Sequence, residues 1–432
     1  MEEVFLHKDR EQTRILILGA GFGGIRAALN LAKYKLKNTR VTIVSDKHHF
    51  GYTPALYKLA TGRSPMETCI PLGEIFDGYD IEWIVDPIVG GSVLEKVMYG
   101  KSGSRYKYDF LILALGAESS YFGIPGVAEH SFKLKSVYTA LRLKTHIHGL
   151  FQNTNGLSKG EMMARFQFVI VGGGPAGVEL AGEVRTYARK LAKAHDISEK
   201  YITVDILQAA PRLLPTMSEE VSKRALHQLN KLGINIMLNR AVTNEDEKGV
   251  YLKDIEFNAK TIIWTAGVRP SHVYSSIEGL TLDKSGHILV DEHMRLRYPA
   301  EGEGLEASYD ECVFIIGDSA STPFAGTAQT AMYDGNYVAT AIVRTLRGLH
   351  MHNYKPQKTP YVVPIGEDWA IFTYKNITLS GRIYWWLRQF IDLKFFFTIL
   401  PFWKAITIWR EGGKLSESCP TCKEAEIQSH SH

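Results

Sequence analysis

The sequence has little cysteine, no long apolar run and no strong excess of either charge. Four cysteines among 432 residues (Cys69, Cys312, Cys419, Cys422) are too few for a framework of disulfide bonds, which favours a reducing compartment. No uninterrupted apolar stretch reaches the roughly 18 residues that a membrane-spanning helix needs, so we expect no such helix. Lysine and arginine number 50 against 46 aspartates and glutamates, an excess too small to indicate a nucleic-acid partner.

Both ends of the chain are polar. Residues 1–10 are too charged to be a secretory signal, which predicts a protein inside the cell. Near the other end, Cys419 and Cys422 form a Cys-x-x-Cys pair, and a metal or redox role for it would need partners such as His430 and His432. We expect no metal site, although the sequence leaves the role of this pair open.

What is present is a repeated glycine pattern. Residues 168–177 combine an apolar strand with Gly172, Gly174 and Gly177. This spacing is typical of a tight turn that connects a buried parallel strand to a helix and leaves the backbone accessible to a pyrophosphate. Alone, this pattern is equally typical of a simple tight turn. Residues 15–24 contain an earlier copy of the same pattern, with Gly19, Gly21 and Gly24. Two copies about 150 residues apart predict two dinucleotide-binding domains.

The second strand of each repeat predicts how a ribose is bound. After the first copy, Asp46 lies close to the position where such folds present a carboxylate to a ribose hydroxyl, although Ser45 is nearer the strand end. In the second copy the corresponding residue is Gln208, a neutral amide that could donate to the 2′-phosphate of NADPH. Arg212 could add a charge-assisted contact, or it could be merely solvated. We therefore expect NADPH to be tolerated beside NADH.

Two further strands and one turn-rich segment complete the expected cofactor site. Strands that end at Gly116 and Gly267 would let the chain pass close to a bound dinucleotide, or they could simply end there. The aromatic segment 48–54 is suited to line a flat ring or to serve as a crossover loop.

Asp318 ends another apolar strand and is followed by a helix of small residues. An aspartate at such a position is well placed to bind a ribityl hydroxyl, and the N-terminus of the next helix would stabilise negative charge on a reduced flavin. The alternative is that Asp318 is only a helix N-cap.

The composition changes near the C-terminus. Residues 361–380 have the pattern of short strands with a turn. Residues 381–410 then contain four of the seven tryptophans and five basic residues against Asp392, and Pro401 divides them into two helical pieces. Aromatic and basic residues on amphipathic helices are typical of an interfacial membrane anchor. A helix that covers the core or mediates dimerisation is the alternative.

These motifs together resemble the two-dinucleotide-binding-domain flavoproteins and, among them, the type II NADH dehydrogenases, which are single-subunit NADH:quinone oxidoreductases. The resemblance extends from Ile15 to about Arg410. Its more specific segments are 52–57, 129–136, 172–183, 263–267, 316–320 and 328–331.

The resemblance implies the roles of individual residues. The first repeat, with Thr53, Pro54, Asp318 and Ala328, would bind FAD, and the second repeat would bind the nicotinamide nucleotide. Glu179 would lie where the nicotinamide stacks on the flavin, and Gln329 and Tyr333 would face the quinone. Two residues depart from the family pattern: Gln208 replaces an acid, and Tyr333 stands where an amide or acid is common.

The expected fold is α/β: an FAD domain (1–160 and 288–360) with an inserted NAD(P)H domain (161–287), a membrane-interface and quinone region (361–410) and a polar tail (411–432). The expected activity is respiratory NAD(P)H:quinone oxidoreduction without proton pumping, by a homodimer bound peripherally to the cytoplasmic face of the cell membrane. A sulfide:quinone oxidoreductase is one alternative, but no cysteine lies between Cys69 and Cys312 to serve its chemistry. A membrane-docked flavin redox sensor is another.

Overall fold

The computed structural model describes residues 12–300 and 307–415. The Cys419 and Cys422 pair therefore lies outside the described residues. The chain forms two compact units. The first unit contains the described residues up to Phe50, together with Pro71–Glu118 and Arg269–Thr359. The second unit contains Gly51–Ile70, Ser119–Val268 and the described residues from Pro360 onward.

The strands are numbered in chain order: β1 (Thr13–Leu18), β2 (Thr39–Ser45), β3 (His49–Gly51), β4 (Cys69–Pro71), β5 (Glu82–Val85), β6 (Ile88–Ser92), β7 (Val97–Gly100), β8 (Arg105–Lys107), β9 (Phe110–Leu113), β10 (Ala117–Ser119), β11 (Phe132–Lys133), β12 (Gln167–Val171), β13 (Thr203–Gln208), β14 (Asn235–Leu238), β15 (Val242–Glu245), β16 (Val250–Leu252), β17 (Glu256–Phe257), β18 (Thr261–Trp264), β19 (Val268–Pro270), β20 (Ile277–Glu278), β21 (Arg295–Tyr298), β22 (Ser308–Ile315), β23 (Tyr361–Pro364), β24 (Ala370–Tyr374) and β25 (Ile377–Gly381). The α-helices are α1 (Phe22–Lys33), α2 (Leu56–Ala60), α3 (Leu72–Phe76), α4 (Val127–His130), α5 (Val137–Leu150), α6 (Lys159–Arg165), α7 (Pro175–Ala194), α8 (Glu219–Lys231), α9 (Ala328–Leu346), α10 (Arg382–Phe396) and α11 (Phe402–Gly412).

The first unit is built on a six-stranded sheet in the order β21-β22-β9-β1-β2-β5. Strand β1 lies at its centre and pairs in parallel with both β2 and β9. Its apolar residues Ile15, Ile17 and Leu18 are fully buried, as expected for a parallel strand covered on both faces. Helices α1 and α9 pack against each other. A smaller sheet, β20-β6-β7-β8, belongs to the same unit.

The second unit repeats this construction with a five-stranded parallel sheet in the order β11-β18-β12-β13-β14. Strand β12 is central, and Phe168, Val169 and Ile170 are fully buried. Helix α7 begins at Pro175, whose fixed φ suits the first helical position. Its apolar face joins the main core of this unit. The carboxyl ends of both central strands thus lead directly into the two glycine turns.

The C-terminal part of the chain belongs to the second unit. Strands β23, β24 and β25 form an antiparallel sheet, which confirms the short strands predicted for 361–380. Helices α10 and α11 follow, with Pro401 between them as predicted. Phe396, Ala405 and Ile408 face inward and are buried. These helices therefore cover part of the core, whatever their outer faces contact.

The prediction of two Rossmann-like halves in one α/β chain is confirmed. The compact units are defined by packing, which is a different criterion from the nucleotide that each part binds. The predicted division into an FAD domain, an NAD(P)H domain and a membrane-interface region therefore stays a prediction.

Candidate functional site

Each glycine turn lies where a buried central strand leads into a helix. Gly19 and Gly172 have φ angles of +104° and +114°, a region that glycine enters without a steric penalty. A β-carbon on the last glycine of either turn would overlap the carbonyl oxygen of the first. Gly24 and Gly177 therefore permit close packing of helix on strand. The protein's own geometry explains the first and last glycine of each turn.

The middle glycines need a different explanation. Gly21 and Gly174 are the N-caps of α1 and α7, with ordinary φ angles of −87° and −76°. A β-carbon at either position would have no protein atom within 4 Å, apart from those of its neighbours in the chain. Packing therefore does not require glycine there, whereas the close approach of a ligand to the helix N-terminus does. Both turns fit the pyrophosphate of a dinucleotide.

The end of β2 places Ser45 and Asp46 differently. Ser45 is the last residue of the strand and is buried. Asp46 follows it, is exposed, and forms an ion pair with the Lys47 ammonium at 3.0 Å. The Asp46 carboxylate lies one residue beyond the strand and remains accessible, so its role in binding a ribose stays a prediction.

The end of β13 is occupied by Gln208, whose buried side chain faces the second glycine turn. Its Oε1 accepts a hydrogen bond from the Gly173 N–H at 2.8 Å, and its Nε2 donates to the Arg212 carbonyl oxygen at 3.4 Å. The Arg212 guanidinium donates to the Met217 carbonyl and the Ser222 hydroxyl, both at 2.8 Å. Both side chains brace loops, and a nucleotide phosphate would have to compete with those hydrogen bonds.

The other four residues predicted to contact a cofactor differ in how much space surrounds them and in what they contact. A β-carbon at Gly116 would meet open space, whereas one at Gly267 would overlap the Phe122 ring. Thr53 is exposed and begins a short 3-10 helix. The carbonyl oxygen of Pro54 accepts a hydrogen bond from the Arg388 guanidinium at 3.0 Å.

Asp318 is not a helix N-cap. It follows Gly317 at the end of β22 and is half-buried. The cap of α9 is Thr327, whose hydroxyl accepts the Thr330 N–H at 3.1 Å. Within the described part of the chain, the Asp318 carboxylate accepts no hydrogen bond. It is therefore available to a polyhydroxylated ligand, and the N-cap alternative is wrong.

Helix α9 carries the other three residues predicted in the first unit. Ala328 is its first residue, and Gln329 and Tyr333 lie one turn apart on the same face, both half-buried. The Tyr333 ring lies 5.6 Å from that of Tyr354. The structure thus brings Asp318, Ala328, Gln329 and Tyr333 together in one unit.

Asp334, the neighbour of Tyr333, was not predicted. Its fully buried carboxylate accepts hydrogen bonds from the Gly317 N–H at 2.9 Å and from the Tyr354 hydroxyl at 2.5 Å. Burial raises the pKa of Asp334 to about 6. This carboxylate fixes the turn that carries Asp318. The sequence signal was a lone acid among apolar and small residues of a helix.

Glu179 lies on α7, one turn after the second glycine turn. Its side chain is intermediate in exposure, and no described residue donates a hydrogen bond to its carboxylate. Burial raises the pKa of Glu179 from 4.5 to about 8, partly offset by the positive charge of Arg388. The carboxyl group therefore holds its proton at neutral pH and can act as a proton donor.

A buried charge cluster in the second unit was also missed. It consists of Lys58, Glu67, Arg388 and Asp392, each at most 7 % exposed. For Lys58, Arg388 and Asp392 the available signal was a charged residue inside a largely apolar helix, whereas Glu67 ends a short 3-10 turn and gave no such signal. Arg388 is one of the five basic residues counted for the predicted membrane anchor, but its guanidinium pairs with Asp392 in the interior.

Other features bear on competing chemistries. In residues 12–300 and 307–415, no group of three or more His, Cys, Asp or Glu side chains could hold a metal ion. Cys69 and Cys312 are both free thiols. None of the described helices combines the length and the apolar character needed to cross a membrane.

Comparison with known proteins agrees with this geometry. Residues 13–338 match the family model described as pyridine nucleotide-disulphide oxidoreductase. The chain is 28% identical to the type II NADH:quinone oxidoreductase Ndh of Mycobacterium tuberculosis, over 93% of this chain and 90% of that protein. It is 30% identical to NdhA of the same organism, over 78% of this chain and 72% of the relative.

Solved structures share the fold. NDH2 from Plasmodium falciparum, in complex with NADH, superposes with a TM-score of 0.81 at 18% identity, covering 94% of this chain and 98% of its own. The sulfide:quinone oxidoreductase of Aquifex aeolicus has a TM-score of 0.72, also at 18% identity, with coverages of 96% and 95%. The chain therefore belongs to the pyridine nucleotide-disulphide oxidoreductase family and, within it, to the type II NADH:quinone oxidoreductases.

Proposed function

We propose that the protein is a respiratory NAD(P)H:quinone oxidoreductase that uses FAD and does not pump protons. One observation carries the proposal: both glycine turns have a middle glycine that packing does not require, so one chain has two places for a dinucleotide. When bound, FAD accepts a hydride from the nicotinamide nucleotide and passes two electrons to a quinone.

The first unit has the residues to hold FAD. Gly19, Gly21 and Gly24 would receive its pyrophosphate, and the Asp318 carboxylate would accept a ribityl hydroxyl. Further contacts in this unit would come from Asp46, Gly116 and Ala328, whereas Thr53 and Pro54 belong to the second unit. Asp334 supports this role indirectly, since its two hydrogen bonds fix the Gly317 turn.

The second unit has the residues to hold the electron donor. Gly172, Gly174 and Gly177 would receive the pyrophosphate of the nicotinamide nucleotide, and Gly267 would line its path. NADH is the expected donor. NADPH is tolerated because Gln208 places no negative charge beside the ribose, although Arg212 would have to give up bonds to its own loop to help.

Three side chains would act in catalysis, each within its own unit. In the second unit, Glu179 is protonated at neutral pH because burial raises its pKa to about 8, so it can relay a proton. Gln329 and Tyr333 lie on one face of α9 and can donate hydrogen bonds to quinone carbonyl groups.

The quinone is a membrane lipid, and the C-terminal helices offer a surface for the bilayer. Ile383, Trp386, Phe390, Phe402 and Trp403 are between 55% and 78% exposed on α10 and α11. We call this set the aromatic face. Exposed aromatic groups of this kind bind at the headgroup boundary. The proposed location is the cytoplasmic face of the membrane, with the protein as a peripheral homodimer.

Anaerobic bleaching of the flavin tests the proposal. The purified protein is mixed with NADH, NADPH or sulfide in parallel and then with a soluble quinone. Rapid bleaching by a nicotinamide nucleotide and prompt reoxidation by quinone are expected. Bleaching by sulfide alone would assign the chain to the sulfide:quinone chemistry, and slow reoxidation with redox-dependent membrane binding would favour a sensor.

A further inference from the structure

A tight turn in the second unit carries an exposed aromatic ring. The turn spans residues 121–124, and the Ile124 N–H donates to the Tyr121 carbonyl oxygen at 3.0 Å. Its two central residues, Phe122 and Gly123, have φ angles of +52° and +69°, as in a type I′ turn. Glycine, asparagine and aspartate predominate at these positions, because other side chains are strained at positive φ. Phenylalanine is therefore an unusual residue here.

The stability of the fold does not explain Phe122. The residue is 68% exposed, so its ring gains little from burial while its backbone is strained. An asparagine at this position would relieve the strain and remove an apolar group from the surface. Strained residues persist where the surrounding structure holds them in place, and they cluster at ligand-binding sites. A bulky ring at a position that favours asparagine therefore indicates a role in binding.

Hydrogen bonds hold the chain on both sides of this turn. Before the turn, the Ser120 N–H donates to the Gly267 carbonyl oxygen at 3.2 Å, and the Trp264 indole N–H donates to the Ser120 carbonyl oxygen at 2.8 Å. After the turn, the Glu245 N–H donates to the Pro125 carbonyl oxygen at 3.0 Å. These bonds fix the position of the turn, so the exposed ring projects from a fixed support.

The ring of Phe122 lies over Gly267, just beyond the end of β18. A β-carbon at Gly267 would be 2.4 Å from the Phe122 Cζ atom, so a glycine is needed to make room for this ring. The preceding residue, Ala266, lies against the second glycine turn, since a β-carbon at Gly172 would be 2.7 Å from the Ala266 nitrogen. One residue thus separates Gly267 and the ring that covers it from the turn that would receive a pyrophosphate.

The order of the sheet indicates which half of a dinucleotide reaches Phe122. Strands β13 and β18 pair with opposite edges of β12. With the pyrophosphate at the end of β12, the adenosine ribose lies at the end of β13, where Gln208 is. The other half of the molecule must then extend to the opposite side, towards the end of β18 and Gly267. In a nicotinamide nucleotide that half is the nicotinamide riboside.

We propose that Phe122 is a donor-binding residue whose ring packs against the nicotinamide riboside half of NADH or NADPH. The inference rests on the proposed function and adds a contact for the electron donor in the second unit. An aromatic ring suits this half, because it offers a flat apolar surface to the nicotinamide ring and the ribose. Oxidised nicotinamide also carries a positive charge, which an aromatic face attracts. Because the turn is fixed before the ligand arrives, little backbone freedom is lost on binding.

Nucleotide titrations of the intact, oxidised, flavin-loaded protein test the inference. The probes are NAD⁺ and ADP, because ADP shares the adenosine and the pyrophosphate but lacks the nicotinamide riboside. Phe122→Asn removes the ring and suits the type I′ turn, whereas Phe122→Tyr keeps a ring. Met163→Gln is the matched control, since Met163 is 57% exposed on α6 in the same unit. Calorimetry measures each dissociation constant, and a thermal melt without nucleotide measures stability.

The two probes should respond differently to loss of the ring. We expect Phe122→Asn to weaken NAD⁺ binding about tenfold and to leave ADP binding within about twofold of wild type. Its melting temperature should equal or exceed that of wild type, because asparagine is less strained than phenylalanine at positive φ. Phe122→Tyr and Met163→Gln should bind both nucleotides as wild type does.

Equal weakening of NAD⁺ and ADP binding, or unchanged binding of both, would overturn the inference. If Phe122→Asn lowers the melting temperature, Phe122→Gly, which also suits the turn, takes its place in the same comparison. Failure of the proposed function gives a different result. Wild-type flavin would then be neither bleached by NADH nor reoxidised by quinone, while the ratio of the NAD⁺ and ADP dissociation constants would still report the contact made by Phe122.

Discussion

Gln208 is the residue whose replacement should change donor selectivity. Its Oε1 accepts the Gly173 N–H at 2.8 Å, and a glutamate of the same length would keep that bond while adding a negative charge. We expect Gln208→Glu to lower kcat/KM for NADPH about tenfold or more relative to NADH, because the carboxylate repels the 2′-phosphate. Steady-state kinetics with both donors measure the ratio.

Arg212→Gln is the comparison for this effect. The Arg212 guanidinium is bonded to the Met217 carbonyl and the Ser222 hydroxyl, so its loss should lower thermal stability more than it changes the NADPH-to-NADH ratio. A ratio that collapses in Arg212→Gln and is unchanged in Gln208→Glu would mean that the arginine, not the amide, selects the donor.

Glu179 should make the stability of the protein depend on pH. Its pKa is about 8 when folded against an ordinary 4.5, so between these values the folded chain holds a proton that the unfolded chain has released. The contribution of the Glu179 carboxyl to the free energy of unfolding is therefore fully present below about pH 4.5 and is lost as pH rises toward 8. We expect Glu179→Gln, which cannot ionise, to be increasingly more stable than wild type across that window.

Denaturant unfolding at pH 5, 6, 7 and 8 measures this trend. Glu247→Gln is the control for the same substitution at an exposed position. A difference between Glu179→Gln and wild type that is constant with pH, or that shrinks as pH rises, would show that the carboxyl is already ionised when folded.

The residues that the sequence failed to identify share a physical cause. Lys58 and Asp392 form an ion pair across 334 positions of the chain, and Asp334 bonds to a backbone N–H 17 positions away. Each is a charged residue on a helix, a pattern that a solvated face produces equally well. Only the folded chain shows which acid is buried and which base lies against it.

At the scale of elements, local patterns were sufficient where local geometry determines the structure. The glycine spacing predicted both strand-to-helix turns, and Pro175 marked the start of α7. Pro401 likewise separated α10 from α11. The orientation of α10 could not be predicted in this way. Its Arg388 faces inward because the guanidinium donates to Asp392 and to the carbonyl oxygen of Pro54, which is distant in sequence.

The aromatic face on α10 and α11 should bind membranes. Trp386 and Trp403 are 55% and 77% exposed, so they can insert at the headgroup boundary without unfolding the helices. We expect Trp386→Ser combined with Trp403→Ser to reduce the fraction bound to anionic vesicles about tenfold, with little change in melting temperature. Flotation with vesicles and thermal melts measure the two quantities.

Leu94→Ser provides the control, since Leu94 is 70% exposed and lies in the first unit. It should leave vesicle binding unchanged. If the double variant still binds vesicles but its molar mass in solution falls from dimer to monomer, the aromatic face is a dimer interface, which was the alternative interpretation of this segment.

At the scale of the whole molecule, two similar strand–turn–helix repeats predicted a chain of two parts. Which segments of the chain belong to each compact unit was harder to predict. Residues 51–70 and the C-terminal helices belong to the second unit. They are held there by contacts such as that between Tyr52 and Asp392, which are 340 positions apart. Long-range pairs of this kind leave no periodic signal in the sequence, because either partner alone is compatible with many environments.

The assignment of one nucleotide to each repeat can be tested on the intact, flavin-loaded protein. Adding NAD⁺ at about 100 times its dissociation constant stabilises its binding site by about 2.7 kcal/mol. Amide hydrogen exchange should therefore slow most at Gly172–Gly177, where open space at Gly174 admits the pyrophosphate. Gly174→Ala should abolish that protection without lowering the melting temperature, because its methyl group displaces ligand but no protein atom. Protection centred instead on the turn from Gly19 to Gly24 would reverse the assignment of donor and flavin between the two repeats.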